Sequence, residues 1–523
     1  MSRTISASAM RDRLLARVQG PPKGDAWIHV LSVPGHRELL GLIARHSPPS
    51  IGGLAELAGR AQPNISRTLS ALVSAGLVEV VSSGRRSVPQ ITEAGAAKAR
   101  ELGLLEADKE SSALAVQTAD LFAVEIDEPS SGEDASSDMI TGQLTCWLWL
   151  SSSKERIAAR TLGDLDALGR RLLENWWRVF YRRDAPFRLW DFVVEDQSGS
   201  SYAMLASVSG RRINLGARGG SDRTLDLEHG SKIFAVTAFE QLVLDEFLRP
   251  LAARHWLNGR SARPLHALLR RVEDSRNQSD ERAFCRTAGA LGLTPYDLED
   301  GRAVQIRNLL EFIPEEDARL DFGSAVLADD LDEGQLWTSQ QLELFRQRNA
   351  MPVLARLRAI CASGVNSPAQ SYRHGYGLAR NARSILELSG DQTVGGIGGL
   401  SKLFGALDGI GLSPEAPGLL RGFQSVENEV PTIIVEDEEP RSSAFILARC
   451  VGDFIAFGNR ASCVADLYTD RQAVGRAFAA EFMAPRDAVV HMIEKEDQPI
   501  VRIADHFGVS TSVVRRQYEN SFH

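Results

Sequence analysis

Apolar positions between residues 36 and 102 fall first into helical stripes and then into short β runs. Leu39, Leu40, Leu42 and Ile43 mark one helix over 36–45, and Leu54, Leu57 and Ala58 mark a second over 51–59. Arg60-Ala61-Gln62 then turns into Pro63, which suits a first helical turn because the amide hydrogen it lacks has no partner there. Ile65, Leu69, Leu72 and Val73 share one face of a third helix over 64–75, and Gly76 ends it as a cap. Leu77-Val78-Glu79-Val80-Val81 reads as a strand. Ser82-Ser83-Gly84-Arg85-Arg86 is a tight basic loop, 87–91 returns, and Thr92-Glu93-Ala94-Gly95 opens a last helix.

Beyond residue 140 the pattern changes twice. Over 141–262 it predicts an α+β region. Leu144 to Leu150, 187–195, 202–209 and 213–215 are β-prone runs, separated by turn chemistry at Gln197-Ser198-Gly199-Ser200 and Gly210-Arg211-Arg212. An antiparallel meander follows from that. Leu165, Leu168, Leu172, Leu173, Trp176 and Val179 predict a helix over 164–181, and a long helix is expected over 231–256, broken at Pro250. Residues 263–385 read mostly as helices, at 264–272, 278–292, 305–312 and 338–363, with another at 372–388. Over 396–523 helices mix again with a strand at 431–435.

Polar stretches place the boundaries. Residues 125–138 carry six acids and no base among Ser, Gly and Pro, the composition of a solvated linker. The expected organisation is an arm over 1–30, a helix-and-hairpin module over 31–104, and a connector over 105–140 containing the linker. An α+β domain over 141–262, a helical region over 263–395 and a C-terminal α+β domain over 396–523 complete it. The fold class is therefore multidomain, mainly α with α+β parts, as 523 residues exceed what one core holds. No run approaches the roughly 18 apolar residues of a membrane span. Five scattered cysteines without a C-x-x-C pair fit a reducing compartment, so a cytoplasmic location is expected.

Net charge is -9, which argues against a chain coated in nucleic acid. Residues 36–102 depart from it, with eight Lys/Arg against five Glu. Three helices followed by a hairpin is the order of a winged helix. The outer face of its third helix offers Gln62, Asn64, Ser66, Arg67 and Ser70. Amides and arginine suit base edges, and hydroxyls suit phosphates. Arg85 and Arg86 stand at the wing tip, in reach of backbone or minor groove. The same residues would also serve as a solvated face on a protein-contact module. Residues 54–78, L-A-E-L-A-G-R-A-Q-P-N-I-S-R-T-L-S-A-L-V-S-A-G-L-V, resemble the MarR/ArsR class of bacterial regulators. The resemblance implies binding of double-stranded DNA by a homodimer that meets two half-sites.

Near the C-terminus, Phe445-Ile446-Leu447-Ala448-Arg449-Cys450-Val451-Gly452-Asp453-Phe454 follows the frame of a zinc-protease helix, F-x-L-A-H-E-x-G-H. That chemistry needs two His one turn apart to hold the metal and a Glu beside the first as base. Arg449, Cys450 and Asp453 stand in their places. With Arg476-Ala477-Phe478-Ala479-Ala480-Glu481 downstream, the segment resembles the ImmA/IrrE metallopeptidases. In that family a carboxylate precedes the second segment, but here Arg471, Gln472, Ala473 and Val474 fill the stretch, and Glu481 belongs to the segment's helix rather than to the metal. A permanent cation at Arg449 repels a metal. A replacement site from Cys450, Asp453 and Cys463 is the weaker alternative, and His491 and His506 lie too far along the chain to restore a pair. Residues 501–517 resemble a helix-turn-helix, which in this family packs as part of the domain.

Other candidates carry less. Gly395 to Gly399 lacks the Lys of a phosphate-binding loop and reads as a flexible linker. Trp176, Trp177, Phe180 and Tyr181 have core spacing, and no Ser/His/Asp set is assignable. The expectation is a bacterial transcriptional regulator whose C-terminal part, a pseudoenzyme scaffold, senses an unknown effector or protein partner. No catalytic residue, metal or organic cofactor is assigned. Two alternatives remain: a metallopeptidase with unorthodox ligands, and an antitoxin or defence-system protein whose winged helix contacts protein.

Overall fold

The computed structural model describes residues 62–83, 86–92, 121–126, 141–151, 156–194, 201–220, 224–228, 232–257, 263–361, 371–406 and 409–522, with isolated positions at 36–54, 94–99 and 153. These mix helices with strands, and the chain divides into two compact units, Met1–Val116 and Gln117–His523. No helix among the described residues is long and apolar enough to cross a membrane.

In the first unit, α1 (Gln62–Ser74) is followed by the antiparallel hairpin β1 (Val78–Ser83) and β2 (Arg86–Ile91). Gly76 has φ of 71° and makes the turn between them. Its amide donates to Val73 O at 2.9 Å, and Leu77 N donates to Leu72 O at 3.0 Å, the paired bonds of a glycine helix cap. Thr92 Oγ1 donates to Gly76 O at 2.7 Å and ties the hairpin's end to that cap. Gly95 lies so close to the Leu77 carbonyl that a Cβ would stand 1.9 Å from it. Leu39, Leu40, Ile43 and Leu54 pack with Ile65, Leu69, Leu72 and Leu77 in one core. His36 and Leu42 are also helical, and the other positions of the helices expected over 36–45 and 51–59 lie outside the described residues, as does the arm over 1–30.

The second unit opens with a curled antiparallel sheet. Its strands are β3 (Phe122–Ile126), β4 (Thr141–Trp149), β5 (Arg156–Asp164), β6 (Phe187–Val194), β7 (Ser201–Ser209), β8 (Arg212–Gly219), β9 (Thr224–Leu225) and β10 (Ile233–Ala235). They run in the order β10-β8-β7-β6-β5-β4-β3, with β9 on β8. Ser151 N donates to Asp226 O at 2.8 Å and Glu228 N to Trp149 O at 2.7 Å, which brings the end of β4 to the chain after β9. Helices α2 (Leu165–Glu174) and α3 (Trp176–Tyr181) leave β5 and bury Trp176, Trp177 and Phe180. The paired aromatic rings therefore form core, not an open ligand wall. Glu125 and Ile126 lie inside β3, so the acidic linker does not begin at Glu125; residues 127–138 lie outside the described residues, as does the turn at 197–200.

The single helix expected over 231–256 is not what forms. Ile233, Phe234 and Ala235 pair with the exposed edge of β8, because an edge strand offers free backbone groups. Helix α4 (Val236–Leu242), a π-helical turn at Val243–Leu248 and α5 (Arg249–Leu257) then follow without interruption. Pro250 sits in the first turn of α5, directly after that wide turn, and does not break the path.

A helical layer follows: α6 (Arg263–Asn277), α7 (Ser279–Ala290), α8 (Asp300–Phe312), α9 (Glu316–Val326), α10 (Leu331–Phe345), α11 (Pro352–Cys361), α12 (Ser371–Ile385) and α13 (Gly396–Phe404). The helix expected over 338–363 is interrupted between α10 and α11. There Met351 N donates to Pro431 O at 2.9 Å, and the buried Asn349 amide donates to Gly411 O and Ile433 O, both at 2.9 Å. Sheet pairing outweighs local helical preference at that point. Gly396 to Gly399 forms the first turn of α13, capped by Gly395 with φ of 72°, and is not a flexible linker.

The last part holds a four-stranded sheet of β11 (Leu412–Ser413), β12 (Leu420–Glu427), β13 (Val430–Glu436) and β14 (Ala461–Ala465), ordered β11-β13-β12-β14. Only β11 and β13 run parallel. Against it lie α14 (Pro440–Phe457), α15 (Asp470–Met483), α16 (Arg486–Glu494), α17 (Ile500–Phe507) and α18 (Thr511–Glu519). Nearly every residue of α14 from Ser443 to Ile455 is buried, so this helix is central. Glycines let its neighbours approach: a Cβ on Gly452 would stand 2.5 Å from the Phe478 Cβ, and one on Gly375 2.4 Å from the Val474 carbonyl oxygen.

Candidate functional site

Helix α14 carries the metal-motif positions, and its ends are built firmly. Glu439 accepts from Arg441 N at 3.2 Å and Ser442 N at 3.3 Å, Pro440 starts the helix, and Gly458 with φ of 59° stops it. Arg449, Cys450 and Asp453 all point into buried space.

Asp453 stands in the place of the second His. Its Oδ2 accepts from Arg471 Nη2 at 2.5 Å, Ser462 Oγ at 2.8 Å and Gln424 Nε2 at 2.9 Å. Both members of the Asp453–Arg471 pair are almost completely buried. Burial pushes the Asp453 carboxyl up, and Arg471 and Ser462 pull it back. Burial also penalises the Arg471 charge, but Asp453 outweighs it and the guanidinium holds its proton more firmly than usual. The other face of Arg471 stacks 4.5 Å from the centre of the Phe457 ring. A guanidinium thus neutralises this buried carboxylate.

Arg449, in the place of the first His, donates through Nη2 to Ala465 O at 2.5 Å and to Gln472 Oε1 at 3.2 Å, and its Nη1 lies 3.4 Å from Asp466. Burial pulls its guanidinium below the usual value, and Asp466 makes up only part of that. Gln472 joins the parts. Its Oε1 also accepts from Ala465 N at 3.1 Å, while its Nε2 donates to Cys463 O at 3.0 Å and to Asp321 at 3.1 Å. Asp321, on α9, is fully buried and also accepts from Thr469 Oγ1 at 2.9 Å and from Arg183 at 2.7 Å. The network thus ties the curled-sheet region and the helical layer to α14 and α15.

Sequence reasoning missed Gln424, Asp321, Arg183 and the role of Gln472. Arg183 and Asp321 are 138 residues apart, and nothing in spacing pairs them. Arg471 was within reach, since it occupies the expected third-ligand stretch.

Cys450 and Cys463 are buried free thiols, and burial pushes both up. Among the described residues no group of three or more His, Cys, Asp and Glu side chains is placed to hold a metal ion. His491 faces Glu496 at 3.4 Å and His506 faces the Asp391 carbonyl at 3.2 Å, so neither joins the network. Glu481 accepts from Arg380 at 2.6 Å, Gln517 at 3.0 Å and Arg486 N at 3.1 Å. It fastens α15 to α12 and α18. The helix-turn-helix-like segment, α17 and α18, is packed into the same core through Ile503, Ala504, Phe507 and Val514.

In the first unit, Gln62, Asn64, Ser66 and Arg67 lie on α1 and Ser70 is exposed on the same helix. Arg86 opens β2. The side chains of Gln62, Asn64, Ser66, Arg67 and Arg86, and the whole of Arg85, lie outside the described residues. No curated protein and no solved structure matches the chain significantly. The family described as HVO_A0114 matches residues 33–93, the stretch that holds α1 and the hairpin and none of the α14 network.

Proposed function

We propose that this chain is a DNA-binding transcriptional regulator whose second unit acts as a non-hydrolytic sensing scaffold. The observation that carries the reading is the passage from α1 through Gly76 into the antiparallel hairpin of β1 and β2, with Ser83 paired to Arg86 at its open end. A helix for the major groove and a basic hairpin beside it are the two parts a winged helix uses on duplex DNA. Two copies would read two half-sites. The peptidase alternative is disfavoured because Arg471 neutralises Asp453 and leaves no charge for a cation to satisfy.

The test is duplex binding as a function of salt. Arg85→Ala/Arg86→Ala should bind more weakly and lose about two units of slope in log affinity against log salt, one for each phosphate contact. An unchanged slope removes the hairpin from the interface.

A further inference from the structure

Beside the closed network, α14, α15, α12 and α18 frame a separate cleft of about 440 Å³, within the size range of small-molecule sites. Five arginines line it, Arg421, Arg441, Arg449, Arg476 and Arg516, against two acids, Glu438 and Asp466. Those acids are already engaged. Asp466 lies 2.8 Å from Arg421 and 3.4 Å from Arg449, and Glu438 lies 3.6 Å from Arg421. Arg441 has Asp505 at 2.8 Å, outside the cleft lining. Arg476 and Arg516 have no carboxylate partner among the described residues. Arg476 donates to the Leu467 carbonyl at 2.6 Å and lies 5.5 Å from the centre of the Tyr468 ring, with no ion pair among the described residues.

A second observation points to the same place. Arg449 is 5 % exposed and lines the cleft, so its buried charge adds to the positive field there. Burial, and then repulsion from Arg449, pulls the Arg476 guanidinium down to about 10. Ser510 and Ser512 also line the cleft at the start of the nine-residue α18, where backbone amides and the helix dipole favour an anion. Tyr372, 41 % exposed, stands at another wall.

We propose that this cleft binds a small phosphorylated molecule, its phosphate oxygens held by Arg476 and Arg516 with the Ser510 and Ser512 hydroxyls, and with Arg449 adding its charge from the wall. Arginine's fixed fork of donors matches phosphate oxygens, and the excess of cations calls for a ligand with more than one negative charge. The assignment stands on the cleft's own geometry and does not depend on the reading of the first unit.

The experiment is isothermal titration of the full chain with pyrophosphate, with a nucleoside diphosphate and with the unphosphorylated nucleoside. Saturable binding of either phosphorylated probe, and none of the nucleoside, is expected. A nucleoside diphosphate that binds more tightly than pyrophosphate, with the gain removed by Tyr372→Ala, would identify a nucleotide; equal affinities would identify the phosphates alone. Arg516→Ala alters an exposed side chain and should weaken binding by at least about tenfold, the loss of one charge-assisted hydrogen bond. Arg476→Gln should do the same with the melting temperature monitored alongside. The Arg85→Ala/Arg86→Ala protein should bind the probes like the wild type, which separates this cleft from any phosphate contact in the first unit. No saturable binding at millimolar probe, binding unchanged in both Arg516→Ala and Arg476→Gln, or a response to duplex DNA alone would each overturn the proposal.

Discussion

Two groups of arginines lie around α14 and α15 and meet at Arg449, and they differ in how their charge is met. In the closed network Arg471 has Asp453 at 2.5 Å, and Arg183 has Asp321 at 2.7 Å and Asp317 at 3.1 Å. In the neighbouring cleft Arg476 and Arg516 have none, and Arg449 shares Asp466 with Arg421. The same residue type is therefore spent in two ways. A guanidinium matched by carboxylates inside the protein is a structural counter-ion, and it consumes the position a ligand would need. One left unmatched at a concave surface is held in readiness for an anion. Arg449 belongs to both, with its Nη groups in the network and its side chain in the cleft wall.

The largest expected effect breaks the closed side. Asp453→Ala leaves Arg471 buried without its carboxylate and strands Gln424 and Ser462. Loss of one partner from a buried pair costs about 3–5 kcal/mol, read from the midpoint of chemical denaturation. Replacing both partners, as Asp453→Leu/Arg471→Met, should recover most of that loss, because no charge is then left alone. A cost below about 1 kcal/mol for Asp453→Ala would mean that the position is hydrated in solution and that the contrast with the cleft is false.

A smaller effect tests how tightly the helices around the network are held. Gly452→Ala puts a methyl 2.5 Å from the Phe478 Cβ on a rigid helix neighbour, so α14 and α15 must separate. Overpacking of this kind costs about 1–3 kcal/mol. The same substitution at Gly398, where a Cβ meets nothing within 4 Å, is the control and should not destabilise. Equal effects at the two glycines would show that the frame around the closed network is soft.

These contrasts bear on what was legible in the sequence. Strands β6, β7 and β13 could be read because their apolar and β-branched runs end at clear turn residues. β5 could not, since alternation lasts only through its first half before Leu162 and Gly163 turn outward. α9 was missed for the opposite reason: every residue from Ala318 to Val326 is buried, so no polar face marks a helical period. The partners of Asp453 and Gln472 could not be deduced, because Gln424, Asp321 and Arg183 reach them from distant elements. The cleft shares this property, being assembled from Tyr372, Arg421, Arg449, Arg476 and Arg516 across 145 residues of chain.

The smallest expected effect is a lack of reactivity at the closed network. Cys450 and Cys463 are fully buried, and burial raises both thiols; Cys361 and Cys285 are pushed up to about 11 and about 12 by the same cause. Only the thiolate attacks a disulfide reagent, so at pH 8 the thiols of the native protein should react slowly and all five only after denaturation. Added zinc should not change those rates, and purified protein should carry zinc well below one equivalent. Cys450→Ala should leave DNA binding and the pyrophosphate isotherm as they are, since the thiol only packs near Gly422, where a Cβ would stand 3.0 Å from its sulfur. Stoichiometric zinc that protects Cys450 from the reagent and disappears in Cys450→Ala would reverse the comparison. The network would then be a metal site in solution, with Arg471 swung away from Asp453, and the peptidase reading would return.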